Sequence, residues 1–257
     1  MTTLLWLTVP YVAFTSFLLG HLWRYRQDQF GWTSRSSQLY ESRLLRLGSP
    51  LFHFGLLAVL GGHMVGILIP ASWTAAVGVS ESAYHLVSVS LGVLSGLVTV
   101  AGLAILLYRR ITVLAVRKST TRVDKIMYTL LSGAIVTGML NTVGGNLIGS
   151  VDASVLRAGL SGYDYRATVS PWFRSLFSIA PQPELMAGAP TSFQIHNLVV
   201  LTLVGIWPYT RLVHVFSAPL GYLTRPYVVY RSRDVAPRSA RRYAHAWEQP
   251  ASSSIRR

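Results

Sequence analysis

Residues 51–70 read LFHFGLLAVLGGHMVGILIP, an apolar stretch of 20 residues that contains two histidines, His53 and His63. No other side chain in the stretch normally carries a charge. An α-helix of about 20 residues crosses the hydrocarbon layer of a bilayer, so the stretch predicts a transmembrane helix. Because an ionisable side chain is costly at that depth, each histidine indicates a functional role. The plainer alternative is a histidine that only satisfies hydrogen bonds within the protein.

The whole chain has the composition of a membrane protein. Of its 257 residues, 51% are hydrophobic and 12% are charged, whereas soluble domains carry roughly 25% charged residues. The net charge of +14 comes from basic residues in short loops between apolar runs, which is typical of topology signals and not of a nucleic-acid-binding face. The chain has no cysteines. It therefore cannot form disulfides, attach a c-type haem covalently or hold a cysteine-ligated iron–sulfur cluster.

Five apolar runs predict an all-α membrane protein with five transmembrane helices. The predicted spans are residues 4–23, 49–69, 83–108, 123–148 and 191–216. They form a membrane domain over residues 1–219, surrounded by lipid, and residues 220–257 form a basic tail. We expect the first part of the tail to dock on a partner and the last part to be disordered.

Two segments between the spans carry weaker signals. Residues 34–43, SRSSQLYESR, are expected to form either a short interfacial helix or an ordered loop. Residues 172–179, WFRSLFSI, are expected to form a short helix along the membrane surface, because Trp and Phe favour that interface.

The distribution of basic residues predicts the orientation of the helices. Twenty of the 23 lysines and arginines fall in residues 24–50, 109–125 and 211–257, which the five spans place on one side of the membrane. Loops rich in lysine and arginine remain in the cytoplasm. The N-terminus is therefore expected outside and the C-terminus in the cytoplasm.

The fifth run carries two further histidines, His196 and His214. They are 18 residues apart, about five turns of a continuous helix, so they project from the same face. Because the second and fifth helices run in opposite directions, His53 and His214 both lie near the cytoplasmic side. His63 and His196 lie near the outer side. Two facing pairs at two depths are what two bis-histidine haems require, and four unrelated histidines in a packed bundle are the alternative.

The axial spacing of the two pairs is uneven. The histidines of the second run are about 15 Å apart along the helix axis and those of the fifth run about 27 Å. Tilt, side-chain reach and a bend at Pro208 must absorb the difference of about 12 Å. The second run also has four glycines, where either a porphyrin or another helix could approach the backbone closely.

Three stretches resemble the gamma subunit of respiratory nitrate reductase, the membrane cytochrome b of a quinol:nitrate oxidoreductase. They read LFHFGLLAVLGGHMVGIL, YRR at residues 108–110 and HNLVVLTLVGIWPYTRLVHVFSAPLGYLTR. The resemblance covers about residues 5–235. It implies a bacterial cell membrane protein of anaerobic respiration with two non-covalent b-type haems. Their axial ligands would be His53 and His214 for the inner haem, and His63 and His196 for the outer one.

The resemblance also implies partners and a substrate. The partners are a cytoplasmic iron–sulfur subunit and a cytoplasmic molybdenum subunit that reduces nitrate. Quinol is oxidised near the outer haem, where the family uses a basic residue early in the third helix. This sequence departs there, since residues 80–86 read SESAYHL with His85 as the only nearby basic group.

His85, with Tyr84 and Gly62, is accordingly the candidate quinol site. A histidine accepts a hydroxyl proton near neutral pH, which suits it to quinol oxidation. The alternative is an interfacial histidine hydrogen-bonded to the loop.

Three cytoplasmic arginines are candidates for the propionates of the inner haem, because a guanidinium binds a carboxylate with two hydrogen bonds. They are Arg110, Arg211 and Arg225. The alternative is that they only anchor helix ends on the basic side.

Two other functions stay open at this point. One is a cytochrome b anchor of a different redox complex, such as a formate dehydrogenase, hydrogenase or disulfide reductase. The other is a transporter or assembly factor without haem.

Overall fold

Helices make up the regular structure in the part of this chain that the structure describes. The computed structural model describes residues 2–33, 35–144 and 163–217, and there is no β-strand within these ranges. The α-helices are, in chain order, α1 Thr2–Gln27, α2 Arg43–Leu68, α3 Ala71–Ala76, α4 Glu81–Thr112, α5 Leu114–Lys118, α6 Arg122–Met139, α7 Val169–Ser175, α8 Pro183–Ala187 and α9 Thr191–Ile206. A π-helical turn, Leu140–Gly144, extends α6, and single 3-10 segments are Gln29–Gly31, Trp207–Tyr209 and Arg211–Ser217.

Four helices are long and apolar enough to cross a bilayer. They are Thr3–Gln27, Arg43–Leu68, Glu81–Thr112 and Arg122–Gly144, which correspond to the first four predicted spans. Many of their leucine and valine side chains are exposed, as expected for surfaces that contact lipid. The predicted end of the fourth span, at residue 148, lies outside the described residues.

The second span begins earlier than residue 49, because α2 continues through Pro50 back to Arg43. Proline removes one helical hydrogen bond, which tertiary packing can offset. Here Gly48 allows the first turns of α2 to pack tightly on α4, where a Cβ on Gly48 would lie 2.8 Å from the Ile105 side chain.

The predicted continuous helix over residues 191–216 is wrong. α9 ends at Ile206 after 16 residues, Trp207–Tyr209 form a 3-10 turn, and Thr210 is extended with φ −110° and ψ 179°. Pro208 has no N–H, and its ring clashes with the carbonyl four residues earlier, so the α-helix does not continue through it. The fifth span and the orientation of the chain stay predictions.

Two buried clusters hold the helices together. In the first, Trp172 of α7 is fully buried and meets Trp6 of α1 edge to face, with ring centroids 5.6 Å apart. The helix thus covers only the first half of the predicted surface helix and is packed through Trp172, whereas Phe177 and Ile179 beyond its end are exposed. In the second, Phe52 of α2 packs with side chains of α4, α6 and α9.

The closest helix packing occurs within two sets, which the buried cluster around Phe52 connects. α2 packs along α4, whereas α9 packs against α1 and α6. The segment between α1 and α2 is an ordered loop over residues 35–42, since buried Arg109 of α4 binds Ser37 and Glu41 there. The tail predicted for residues 220–257 lies outside the described residues.

Candidate functional site

The four membrane histidines meet as two pairs. The ring centroids of His53 and His214 are 6.1 Å apart with an interplanar angle of 78°, and those of His63 and His196 are 6.2 Å apart at 35°. A metal–imidazole bond is about 2 Å long and the ring centre lies about 1 Å further, so two imidazoles on one metal have centres ~6 Å apart. The spacing of both pairs therefore suits a metal between two imidazoles.

The Nδ1 atom of every one of these histidines faces an oxygen. Nδ1 of His53 lies 2.8 Å from the Ser49 carbonyl, and Nδ1 of His63 lies 2.8 Å from the Val59 carbonyl. Nδ1 of His196 lies 3.0 Å from the Thr137 hydroxyl, and Nδ1 of His214 lies 2.6 Å from the Arg211 carbonyl. A carbonyl only accepts, so Nδ1 carries the proton in three of the four rings. Nε2 is then the ring atom with a lone pair, which is the usual arrangement of a metal-binding histidine.

The number of donors also suits haem. Among the residues that the structure describes, no three His, Cys, Asp or Glu side chains converge on one metal position. Each pair therefore offers two protein ligands, the set that a bis-histidine haem iron takes from protein while the porphyrin supplies the rest.

Glycines shape the space around the outer pair. A Cβ on Gly61 or Gly62 would meet no described atom within 4 Å, so this side of α2 is open. A Cβ on Gly138 of α6 would lie 3.1 Å from Cε1 of His196, so α6 approaches that ring as closely as a glycine permits. The site thus has room beside His63 and close support behind His196.

The inner pair forms although the fifth run is not one helix. The chain breaks at Pro208, and the 3-10 segment that follows carries His214 to its place beside His53. The prediction that His196 and His214 share one face of an unbroken helix is wrong, because α9 ends at Ile206, between them. The distance of about 27 Å for this run assumed a straight α-helix and does not apply across the break at Pro208.

The two described propionate candidates have partners within the protein. Arg211 forms a buried ion pair with Asp124 of α6, with Nη2···Oδ2 2.5 Å and Nε···Oδ1 2.8 Å. Arg110 donates to Thr120 Oγ1 at 2.9 Å and lies over the Tyr128 ring at 4.7 Å. Their role toward propionates stays a prediction, and Arg225 lies outside the described residues.

The quinol candidates separate into two environments. The Tyr84 and Tyr165 hydroxyls are hydrogen-bonded at 3.2 Å beside Gly66, one helical turn beyond Gly62. His85 is exposed, and as the next residue in α4 it points about 100° away from Tyr84. The structure therefore brings Tyr84 to the C-terminal end of α2 and leaves His85 on a neighbouring face of α4.

Sequence reasoning missed the side chains that residues 163–175 contribute at the C-terminal end of α2. Arg166 lies over the Tyr84 ring at 3.9 Å. Ser170 and Arg174 donate to the Gly66 and Ile67 carbonyls at 2.9 and 2.7 Å, which satisfies part of the C-terminus of α2.

The pKa of the Tyr165 phenol is raised above its ordinary value, first by burial and then by the hydrogen bond with Tyr84. It is therefore a neutral phenol at the C-terminal end of α2.

Comparison with known proteins places these features in context. A family model described as "Nitrate reductase gamma subunit" matches residues 2–233. The chain is 44% identical over 230 residues to the nitrate reductase gamma chain of Bacillus subtilis, covering 90% of this chain and 98% of that one. It is 33% identical over 225 residues to the respiratory nitrate reductase 2 gamma chain of Escherichia coli, covering 87% and 94%.

A longer relative is the nitrate reductase-like protein NarX of Mycobacterium tuberculosis. The two are 52% identical over 236 residues, which is 91% of this chain and 34% of that protein. This chain thus spans about a third of the length of that relative.

Proposed function

This chain belongs to the nitrate reductase gamma subunit family, and from that premise we propose that it oxidises quinol near the outer membrane face and passes the electrons to a cytoplasmic iron–sulfur subunit. As a family member it is a multi-pass membrane subunit of an oxidoreductase complex and associates with other nitrate reductase subunits. In our proposal the complex lies in the bacterial cytoplasmic membrane, and nitrate is reduced on a molybdenum subunit.

The pairing of the four histidines is the observation that carries the proposal. His63 and His196 would hold an outer b-type haem, and His53 and His214 an inner one, both without covalent attachment. When bound, such haems carry electrons one at a time across the membrane. The ring-centre separations of 6.2 and 6.1 Å support this assignment.

The protein's own part is to orient the imidazoles. The carbonyls of Ser49 and Val59 each lie one helical turn before a histidine and accept a hydrogen bond from its Nδ1. Those bonds fix the tautomer and the ring orientation, so Nε2 points away from α2. Thr137 of α6 takes the same role for His196.

Five spans with the N-terminus outside remain part of the proposal. α9 has 16 residues, which make about 24 Å of helix, and the 3-10 segments within residues 207–217 follow it directly in the sequence. Together they are long enough for the ~30 Å hydrocarbon layer. The basic segments 24–50, 109–125 and 211–257 would then face the cytoplasmic partners.

Quinol oxidation releases two electrons and two protons, and we place it at the outer end of α2. The open side of Gly62 gives a flat ring room to approach. Tyr84 and His85 stay the candidate partners of its hydroxyls, with Tyr165 as the hydrogen-bond partner of Tyr84. Protons leave outside while negative charge moves inward, which stores about 2.3 kcal/mol per charge per 100 mV.

A reduced-minus-oxidised absorption spectrum of the purified complex tests this function. We expect two spectroscopically distinct b-type haems that quinol reduces and nitrate reoxidises. A complex without b-type absorbance contradicts the proposal and favours the alternative of a transporter or assembly factor without haem. Family membership favours nitrate reductase over a formate dehydrogenase, hydrogenase or disulfide reductase anchor.

A further inference from the structure

We infer that Arg24, in the first helix, is a positioning residue for His214, the proposed inner-haem ligand in the 3-10 segment that follows the last helix. The inference rests on the proposed function. Arg24 lies near the end of α1 and is only 6% exposed. Its sequence context marks it only as one more basic residue on the cytoplasmic side.

The guanidinium of Arg24 binds two parts of the chain. One is the helix break at Pro208, and the other is the turn that follows α1. Nη1 donates to the carbonyl of Pro208 at 2.6 Å and to that of Thr210 at 3.2 Å. Nη2 donates to the Gly31 carbonyl at 2.7 Å, and Nε donates to Asp28 Oδ2 at 3.1 Å. Four acceptors therefore converge on one buried side chain.

The break at Pro208 is the reason such a donor is needed. The carbonyls of Pro208 and Thr210 lie beyond the last residue of α9, outside its regular hydrogen-bond pattern. Within or near a membrane, such carbonyls are costly unless the protein itself supplies donors. The planar guanidinium has several N–H groups in a fixed fork, so it reaches two carbonyls of the break at once.

Close packing fixes the position of this contact. A Cβ on Gly20 would lie 2.8 Å from the ring of Pro208, so α1 and the break touch without intervening side chains. Asp28 supplies the balancing negative charge one turn beyond Arg24. The break is therefore held to α1 by both shape and hydrogen bonds.

His214 follows directly from this anchored segment. Thr210 precedes Arg211, whose guanidinium is paired with Asp124 of α6 and whose carbonyl lies 2.6 Å from Nδ1 of His214. Arg24 thus holds the segment on the α1 side while Asp124 holds it on the α6 side. The outer ligands, His63 and His196, lie on uninterrupted α-helical stretches and do not depend on this contact.

The test compares Arg24→Gln with Arg26→Gln in the complete complex. Arg26 is exposed and lies on the same helix, so the control makes the same charge change. Low-temperature EPR and a redox titration of the b-type absorbance report each haem separately, and a His63→Ala complex identifies the outer signal. Arg24→Lys keeps the charge without the guanidinium fork.

We expect Arg24→Gln to lose the inner haem, or to shift its EPR g value and midpoint potential, while the outer haem is unchanged. Arg24→Lys should show a smaller inner-haem change, and Arg26→Gln none. Two unaltered haems in Arg24→Gln overturn the inference. Equal damage to both haems in Arg24→Gln and Arg24→Lys also overturns it, since the residue would then support the whole fold. A wild-type complex without b-type haem overturns the proposed function instead.

Discussion

His63 and His196 lie with their imidazole centres 6.2 Å apart, although one belongs to α2 and the other to α9. Their helices belong to different packed sets, α2 with α4 and α9 with α1 and α6. The pair therefore lies at the boundary between the two sets. A group bound between these rings would add a second connection between the two sets, beside the buried cluster around Phe52 that already joins them.

Gly138 gives the first prediction about this boundary. Gly138→Ala places a Cβ 3.1 Å from Cε1 of His196, which forces the ring to shift by a few tenths of an ångström. We expect the EPR g value and midpoint potential of the outer haem to change while those of the inner haem stay. Gly133→Ala on the same helix is the control, because its Cβ would lie at an ordinary 3.5 Å from Val199. An outer haem that responds equally to both variants contradicts this role of Gly138.

Thr137 gives the second prediction. Its hydroxyl lies 3.0 Å from Nδ1 of His196, and groups in that position typically contribute 10–100-fold to metal affinity. Thr137→Val should therefore lose the outer haem more readily, by roughly 10–100-fold in haem affinity measured by competition with apomyoglobin. Thr129→Val removes only a bond to the Lys125 carbonyl of the same helix and should leave haem affinity unchanged.

The buried ion pair of Asp124 and Arg211 gives the third. Asp124 is 3% exposed, and its loss leaves the guanidinium buried without its countercharge. Asp124→Asn should destabilise the protein by roughly 3–5 kcal/mol. Asp124 also closes a capping box with Thr121 at the start of α6, so Thr121→Ala measures the cap alone, about 1 kcal/mol. Thermal unfolding in detergent compares the two, and equal effects would show that the ion pair adds nothing.

The quinol candidates give the fourth. If His85 accepts the quinol proton, His85→Gln lowers kcat and removes the histidine limb from the pH profile of quinol oxidation. Tyr84→Phe, which removes only the hydroxyl bonded to Tyr165, should change KM more than kcat. Steady-state turnover of a quinol analogue by the complete complex, over a range of analogue concentrations and pH values, measures both. A normal pH profile in His85→Gln excludes that residue as the base.

Local patterns predicted only part of this structure. Hydropathy located the four long helices, because runs of apolar residues of bilayer length have few other uses in a protein. Because the second and fifth apolar runs were predicted to be antiparallel, the sequence also predicted which histidines the structure brings together. The end of α9 at Ile206 depends on Pro208, whose effect the sequence suggested as a bend and not as a stop.

Long-range contacts left no comparable trace in the sequence. Trp172 looks interfacial by composition, yet it is buried because Trp6, far away in the chain, offers an edge-to-face partner. Arg24 looks like a topology charge and Arg166 like one of the few basic residues on the opposite side, and only the fold shows which carbonyls and rings they contact. A positive charge count carries no information about such partners.

The most direct test of the haem assignment is the haem content of four single variants in the complete complex: His53→Ala, His63→Ala, His196→Ala and His214→Ala. Reduced-minus-oxidised spectra and EPR identify which haem each variant retains. We predict that the His53 and His214 variants lack the same haem, and that the His63 and His196 variants lack the other. A single variant that keeps both haems, or loss of the same haem from the His63 and His214 variants, would contradict the assignment.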